Sequence, residues 1–180
     1  MNDKQIAALI MSTLKPQMVA QPGLESCVLA RNFPARQQGR EVLPAVYFVK
    51  IADPRHGSPL RSDVWDETAG AMVHEERQLI EATYQFSALV PQDPAATAAL
   101  TESDVLNVVS AIMQSDAVIS AFRAADVGIQ RVTSVNNPYF LDDVDRFEAS
   151  PSFDIVLTYY RILRTSVPAV SAYDAQINRV

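Results

Sequence analysis

From Ile80 to Val90 the chain alternates. Ile80, Ala82, Tyr84, Phe86, Ala88 and Val90 are apolar, with Glu81, Thr83, Gln85 and Ser87 between them. A period of two over about ten residues predicts a half-buried antiparallel strand, here inside the stretch Glu76–Val90. The other segments are placed relative to this strand. Upstream, Ile6, Leu9, Ile10, Thr13 and Leu14 sit at helical spacing behind Asn2 or Asp3 as a cap, and Pro16 is expected to break or kink that helix. Val42–Ile51 is rich in β-branched and aromatic residues and predicts a first strand, with Pro44 at an end or on an edge. Residues 52–73 hold two prolines, two glycines and several charges. They read as a long excursion at the tip of a hairpin, and loops of that length are usually functional.

Downstream of Pro91, Thr101 and Asp104 form a loose capping box before a wide apolar face of Val105, Leu106, Val108, Val109, Ile112 and Met113. A second helical piece carries Val118, Ile119 and Phe122, and Gly128 is expected as the glycine just past its end. Ile129–Val135 predicts a third strand, with Ile129, Arg131, Thr133 and Val135 opposed to Gln130, Val132 and Ser134. Residues 136–151 read as a structured loop. A fourth strand from Ser152 places Phe153, Ile155, Leu157 and Tyr159 on one face and Asp154, Val156, Thr158, Tyr160 and Ile162 on the other. Both faces are largely apolar, which predicts a central strand or one buried by a partner chain. The order predicts an α+β fold: an antiparallel sheet of about four strands with a long hairpin and helices on one face. Residues 1–164 are expected to form one domain, with 165–180 as a tail.

Composition adds limits. The chain has 180 residues, 48% hydrophobic and 20% charged, enough for a stable core. A net charge of −6 argues against general nucleic-acid binding, which relies on neutralising phosphates. The single cysteine, Cys27, has no internal partner and fits a reducing compartment. The acidic Asp3 and amphipathic spacing of residues 1–15 oppose a signal peptide, and no stretch approaches the ~18–20 apolar residues of a membrane span.

Candidate chemistry is sparse. His74-Glu75-Glu76 lacks the second histidine of a zinc-protease helix. Asp142, Asp143, Asp145 and Glu148 form an acidic cluster without the glycine of a calcium loop, and read as a solvated turn. Cys27 reads as a buried structural thiol rather than a nucleophile. No glycine-rich phosphate loop is present, and no cofactor or metal is expected. Trp65 and Met72, inside the 52–73 excursion, are candidate partner anchors, since such residues are enriched in interface cores.

One stretch is similar to a known family. Gly128-Ile129 after a helix, then Asn137-Pro138-Tyr139-Phe140, Asp142-Asp143, Phe147-Glu148 and Ser150-Pro151-Ser152-Phe153-Asp154 entering an apolar strand span residues 124–161. This region resembles the tailed-phage neck or tail terminator proteins, also called tail completion proteins. The resemblance implies a non-enzymatic virion component, assembled in the host cytoplasm. It implies a self-associated ring, commonly a hexamer, that caps the tail tube, meets the head connector and lets DNA pass through its bore. A ring needs two different complementary patches, because its contacts are heterologous. The faces of the fourth strand, and Glu81, Gln85, Tyr139, Phe140, Asp142 and Asp143, are candidates for subunit or partner contact. An acidic bore would repel DNA phosphate and let it pass without sticking. The rivals are another head–tail adaptor, a tail-assembly chaperone, and a small metal-dependent hydrolase using His74, Glu75 and the 142–148 acids.

Overall fold

The computed structural model describes residues 1–32, 43–91, 99–141 and 147–167, with only the backbone described at 139–141 and 147–149. Its centre is β4 (Ala71–Leu89), 19 residues long and thus about 60 Å. The expected alternation holds. Ile80, Ala82, Tyr84, Phe86 and Ala88 are buried, and Glu81, Thr83 and Gln85 are half-buried on the opposite face. On one side β4 pairs antiparallel with β8 (Ser152–Val167) along almost its whole length, from Met72↔Val167 to Ser87↔Ser152. On the other side β2 (Ala45–Ala52) pairs with the second half of β4, and β3 (Arg55–Asp66) with the first half.

β2 and β3 therefore form one long broken strand, and the sequence reading of 52–73 as an excursion is corrected. Most of it is ladder, closed by a short turn between Asp66 and Ala71. Asp66 Oδ1 accepts from the Thr68 and Ala69 amides there. Gly57 and Pro59, which suggested a loop, fall where the register slips between His56 and Leu60. A bulge is one of the few places where a sheet tolerates such residues.

Among the described residues the main sheet has six strands and is mixed, not four and purely antiparallel. Its order is β1-β2-β4-β8-β5, with β3 also on β4. β1 (Val28–Arg31), too short to show a pattern, pairs parallel with β2. β5 (Gly128–Val132) covers β8 only from Thr158 to Ile155. A bulge between Ile129 and Arg131 resets the alternation expected there, so Ile129, Val132 and Val135 are the side chains that reach the core. Inside the expected loop lies a small antiparallel pair, β6 (Tyr139–Leu141) and β7 (Phe147–Ala149).

Among the described residues, three helices cover the face of the sheet that holds Phe86. α1 (Asp3–Val19) starts at Asn2, whose side chain accepts from the Gln5 amide while Gln5 returns the bond. It does not break at Pro16. The missing N–H falls near the C-terminal end on an exposed side, while Leu14 and Met18 remain buried and hold the last turn. α2 (Glu102–Met113) carries the expected Thr101–Asp104 capping box, and α3 (Asp116–Ala124) restarts from Ser115 at a 55° bend. Asp126, with φ 57°, takes the left-handed position past α3 that was expected of Gly128. Gly128 answers a different need: a Cβ there would lie 2.5 Å from Thr158 Oγ1. Buried side chains from all three helices join Phe48, Phe86 and Phe153 in one cluster.

Candidate assembly interface

Past Ile80 on β4 and Tyr159 on β8, toward the hairpin turn, no described side chain of the sheet joins the core cluster packed against the helices. The first half of β4, all of β3 and the end of β8 continue as a three-stranded ribbon about 30 Å long. Two rows of side chains follow from the pairing. One holds Leu60, Ser62, Val64 and Asp66 of β3, Val73, Glu75, Arg77 and Leu79 of β4, and Tyr160, Ile162 and Arg164 of β8. The other holds Arg61, Asp63 and Trp65, then Met72, His74 and Glu76, then Arg161 and Leu163.

Ion pairs stiffen this arm. Glu75 is buried, with its carboxylate accepting from Arg77 and, at 2.8 Å, from Arg164 across the strand. The Arg77 guanidinium first, then Arg164, hold the Glu75 carboxyl below its ordinary value. Arg61 donates to Glu76 at 2.9 Å. His74 Nδ1 lies 2.7 Å from Asp63 Oδ1, and its Nε2 lies 3.7 Å from Glu76. The hydrogen bond to Asp63 is the main cause of the raised His74 pKa. The imidazolium contribution is therefore full below the free value near ~6.5 and is lost as pH rises through the higher folded value. Trp65, the only tryptophan, shares that row and sits close to the hairpin turn. Its emission is expected to change in a step centred above pH ~6.5, and Asp63→Asn to move that step downward. A step at the same pH in the variant would show that Asp63 does not hold the proton on His74.

At the root of the arm, Lys50 bridges Asp53 at 2.7 Å and Asp3 at 3.1 Å, tying α1 to the β2–β3 break. Burial works against the Lys50 charge, but the two carboxylates outweigh it and raise its pKa. Nothing in the sequence pattern flagged this tie.

The sequence candidates scatter. Trp65 and Met72 are cross-strand partners near the tip, with Trp65 exposed and Met72 half-buried. Glu81 and Gln85 lie on the helix-free face of the sheet. Glu81 is 3.5 Å from His56, and Gln85 donates to Asp154 at 3.3 Å. Tyr139 and Phe140 are in β6. Asp142, Asp143 and Asp145 lie outside the described residues. For the hydrolase rival, Glu75 is committed to two arginines and His74 to Asp63. Among the described residues no group of three or more His, Cys, Asp or Glu could hold a metal. Burial pushes the Cys27 thiol up to about 11, which keeps it protonated and un-nucleophilic.

The chain is an α+β protein whose sheet is backed by helices and continues beyond them as an ion-paired ribbon. The family follows from comparison. A family model described as E217 gateway protein gp29 matches residues 5–169. The chain belongs to this family, and so to the neck and tail terminator proteins of tailed phages that residues 124–161 resemble. It has a structural place in the tail or neck of its particle. No curated protein matches it. Among solved structures, the sheath/tube terminator of an extracellular contractile injection system (PVC, extended state) shares the fold, with a TM-score of 0.52 at 11% identity. The match covers 100% of this chain and 64% of that one, so the chain spans somewhat less than two thirds of its neighbour's length.

Proposed function

We propose that the chain is a ring-forming terminator subunit, commonly hexameric, that caps the tail tube and joins it to the head connector without enzymatic chemistry. The observation that carries this reading is the arm. Leu60, Val64, Trp65, Tyr160, Ile162 and Leu163 are all exposed on it, an apolar surface on a ribbon too thin to have a core of its own. The helix-free face of β4, with Glu81, Thr83 and Gln85, would then line the bore through which DNA passes, and the helices would face outward. The particle would be assembled in the host cytoplasm.

Light scattering on the purified chain, together with imaging of particles, tests the proposal. A closed ring at the head–tail junction is expected; a monomer sitting elsewhere in the particle would overturn it. The bore assignment has its own test. Glu81→Lys combined with Gln85→Lys places cations on the helix-free face, so DNA phosphate should be retained there. Particles are expected to assemble but to eject DNA several-fold more slowly, the more so at low salt. Ejection at the wild-type rate would remove this face from the DNA path.

A further inference from the structure

The arm has two open edges. Among the described residues no strand pairs with the outer side of β3, and none pairs with β8 beyond Thr158, where β5 begins at Gly128. From the pairing, Arg61, Asp63 and Trp65 turn their backbone groups outward on β3, and Tyr160, Ile162 and Arg164 do so on β8. Such rows of unmet N–H and C=O groups are templates for another strand.

We infer that the outer edge of β3 of one subunit adds, parallel, to the outer edge of β8 of the next copy of this chain, with residues 61–66 beside 159–164. The inference rests on the ring reading. β3 and β8 are each antiparallel to β4 and so parallel to each other, and a rotation about a ring axis keeps them so. A two-fold dimer would instead pair an edge with itself, antiparallel. The side chains select the register. It puts Asp63 beside Arg161, Val64 beside Ile162, Trp65 beside Leu163, and Asp66 beside Arg164. All four apolar members are exposed in the single chain: Val64 49%, Ile162 46%, Trp65 55% and Leu163 61%. Moving by two residues one way sets Arg61 against Arg161 and Val64 against Arg164. Moving the other way sets Trp65 against Arg161 and Asp66 against Ile162.

Ile162 then bonds to Asp63 and Trp65 of the neighbour, as a parallel ladder requires. Asp66 Oδ1 is taken by its own turn, which leaves Oδ2 for Arg164. The free lengths agree as well. The regular part of β3 starts at Leu60, just after the bulge, and the free part of β8 starts at Tyr159. A groove of about 600 Å³, whose lining includes Met1, Gln5, Arg77, Asp126, Tyr160 and Ile162, lies along this edge. The arm segments 55–80 and 159–167 hold five arginines and five carboxylates, so the net charge of −6 lies elsewhere and neighbouring arms do not repel.

The same register closes a ring. Within one subunit Asp63 is level with Thr165, through His74. Placing Asp63 of the neighbour beside Arg161 displaces each subunit by four residues, about 13 Å, over three strands, about 14 Å wide. The strands then tilt by about 42°, inside the ~35–45° range of closed barrels, for any number of subunits. The hand follows too. Glu81 donates to Pro54, so odd positions of β4 bond toward β3. Seen from the helix side with β4 running up, β8 is therefore on the right, and the displacement gives a right-handed coil with the helices outside, the hand that strand twist favours.

Oxidative cross-linking of the full-length chain, alone and in assembled particles, tests the register. Val64→Cys with Ile162→Cys, and separately Ser62→Cys with Tyr160→Cys, are expected to give a covalent ladder ending at the ring. The offset pair Val64→Cys with Tyr160→Cys, and each single variant, are expected to give less than a tenth as much, because a two-residue offset separates the Cβ atoms by about 8 Å, whereas a matched pair at the ~4.8 Å strand spacing needs only a small shift to reach disulfide distance. Cys27 is buried and leaves the controls silent. An offset pair that links as well, Ile162→Cys linking alone, or imaged rings in which neither matched pair links would overturn the edge pairing while leaving the ring intact. A chain that is monomeric in solution and in particles would overturn both.

Discussion

Phe86→Ala is expected to cost about 3–5 kcal/mol, much of the ~5–15 kcal/mol that holds a domain folded. Phe86 sits in a row across three strands, opposite Phe48 on β2 and Phe153 on β8. The rings are stacked at 5.6 Å and 5.0 Å between centroids, with interplanar angles of 22° and 13°, and all three side chains are buried. Their neighbours are backbone-fixed strands on one side and the packed helices on the other, so little can collapse into the space a truncation leaves. The melting temperature should fall by roughly 6–20 °C. Phe86→Leu keeps most of the volume and is expected to cost under half as much. Thermal unfolding of the three proteins checks the order. A loss below ~1 kcal/mol for Phe86→Ala would mean that the row is not the centre of the core.

The aromatic row was legible because burial writes itself into alternation. One face of β4 touches the core and the other does not, so the sequence carries the period. The arm carries no such record. Both of its faces meet water in the single chain, and β3 mixes Leu60, Ser62, Val64 and Asp66 on one side with Arg61, Asp63 and Trp65 on the other. Without a buried face there is no alternation to read, and Gly57 and Pro59 at the bulge then look like loop punctuation. β1 leaves no signal because four residues set no period, and the helix-end position expected of Gly128 falls to Asp126 because an aspartate can take a left-handed backbone. Trp65 and Met72 are candidate anchors on residue type alone, and the ladder adds that they are cross-strand partners near the tip. Glu75 has Arg77 two residues along its own strand and Arg164 opposite it on β8, and only the cross-strand register brings the second arginine to it. The match between β3 and β8 lies between segments about a hundred positions apart. Only after the ladder has fixed which residues share a face does Val64 stand opposite Ile162.

Blocking the two edges separately should divide assembly in a way that blocking a two-fold contact cannot. Val64→Asp places a carboxylate against Ile162 of the next subunit, and Ile162→Asp does the same from the other side. Either chain alone has every subunit contact damaged. A desolvated carboxylate without a cation costs on the order of 2–4 kcal/mol per contact, about 30- to 1000-fold in association, repeated around the ring. Rings are expected to vanish from both preparations, while the core and the melting temperature stay close to wild type, since both positions are exposed in the single chain. Mixing the two restores one kind of contact. β8 of the Val64→Asp chain and β3 of the Ile162→Asp chain are both intact, so the mixture should form one-to-one dimers. It should go no further, because the next contact would join the two damaged edges. Light scattering of the mixture reads this directly. Rings from the mixture, or from either variant alone, would show that subunits meet elsewhere than along these edges. An unchanged monomer in the mixture, where wild-type protein forms rings, would show that the arm joins something other than its own copy.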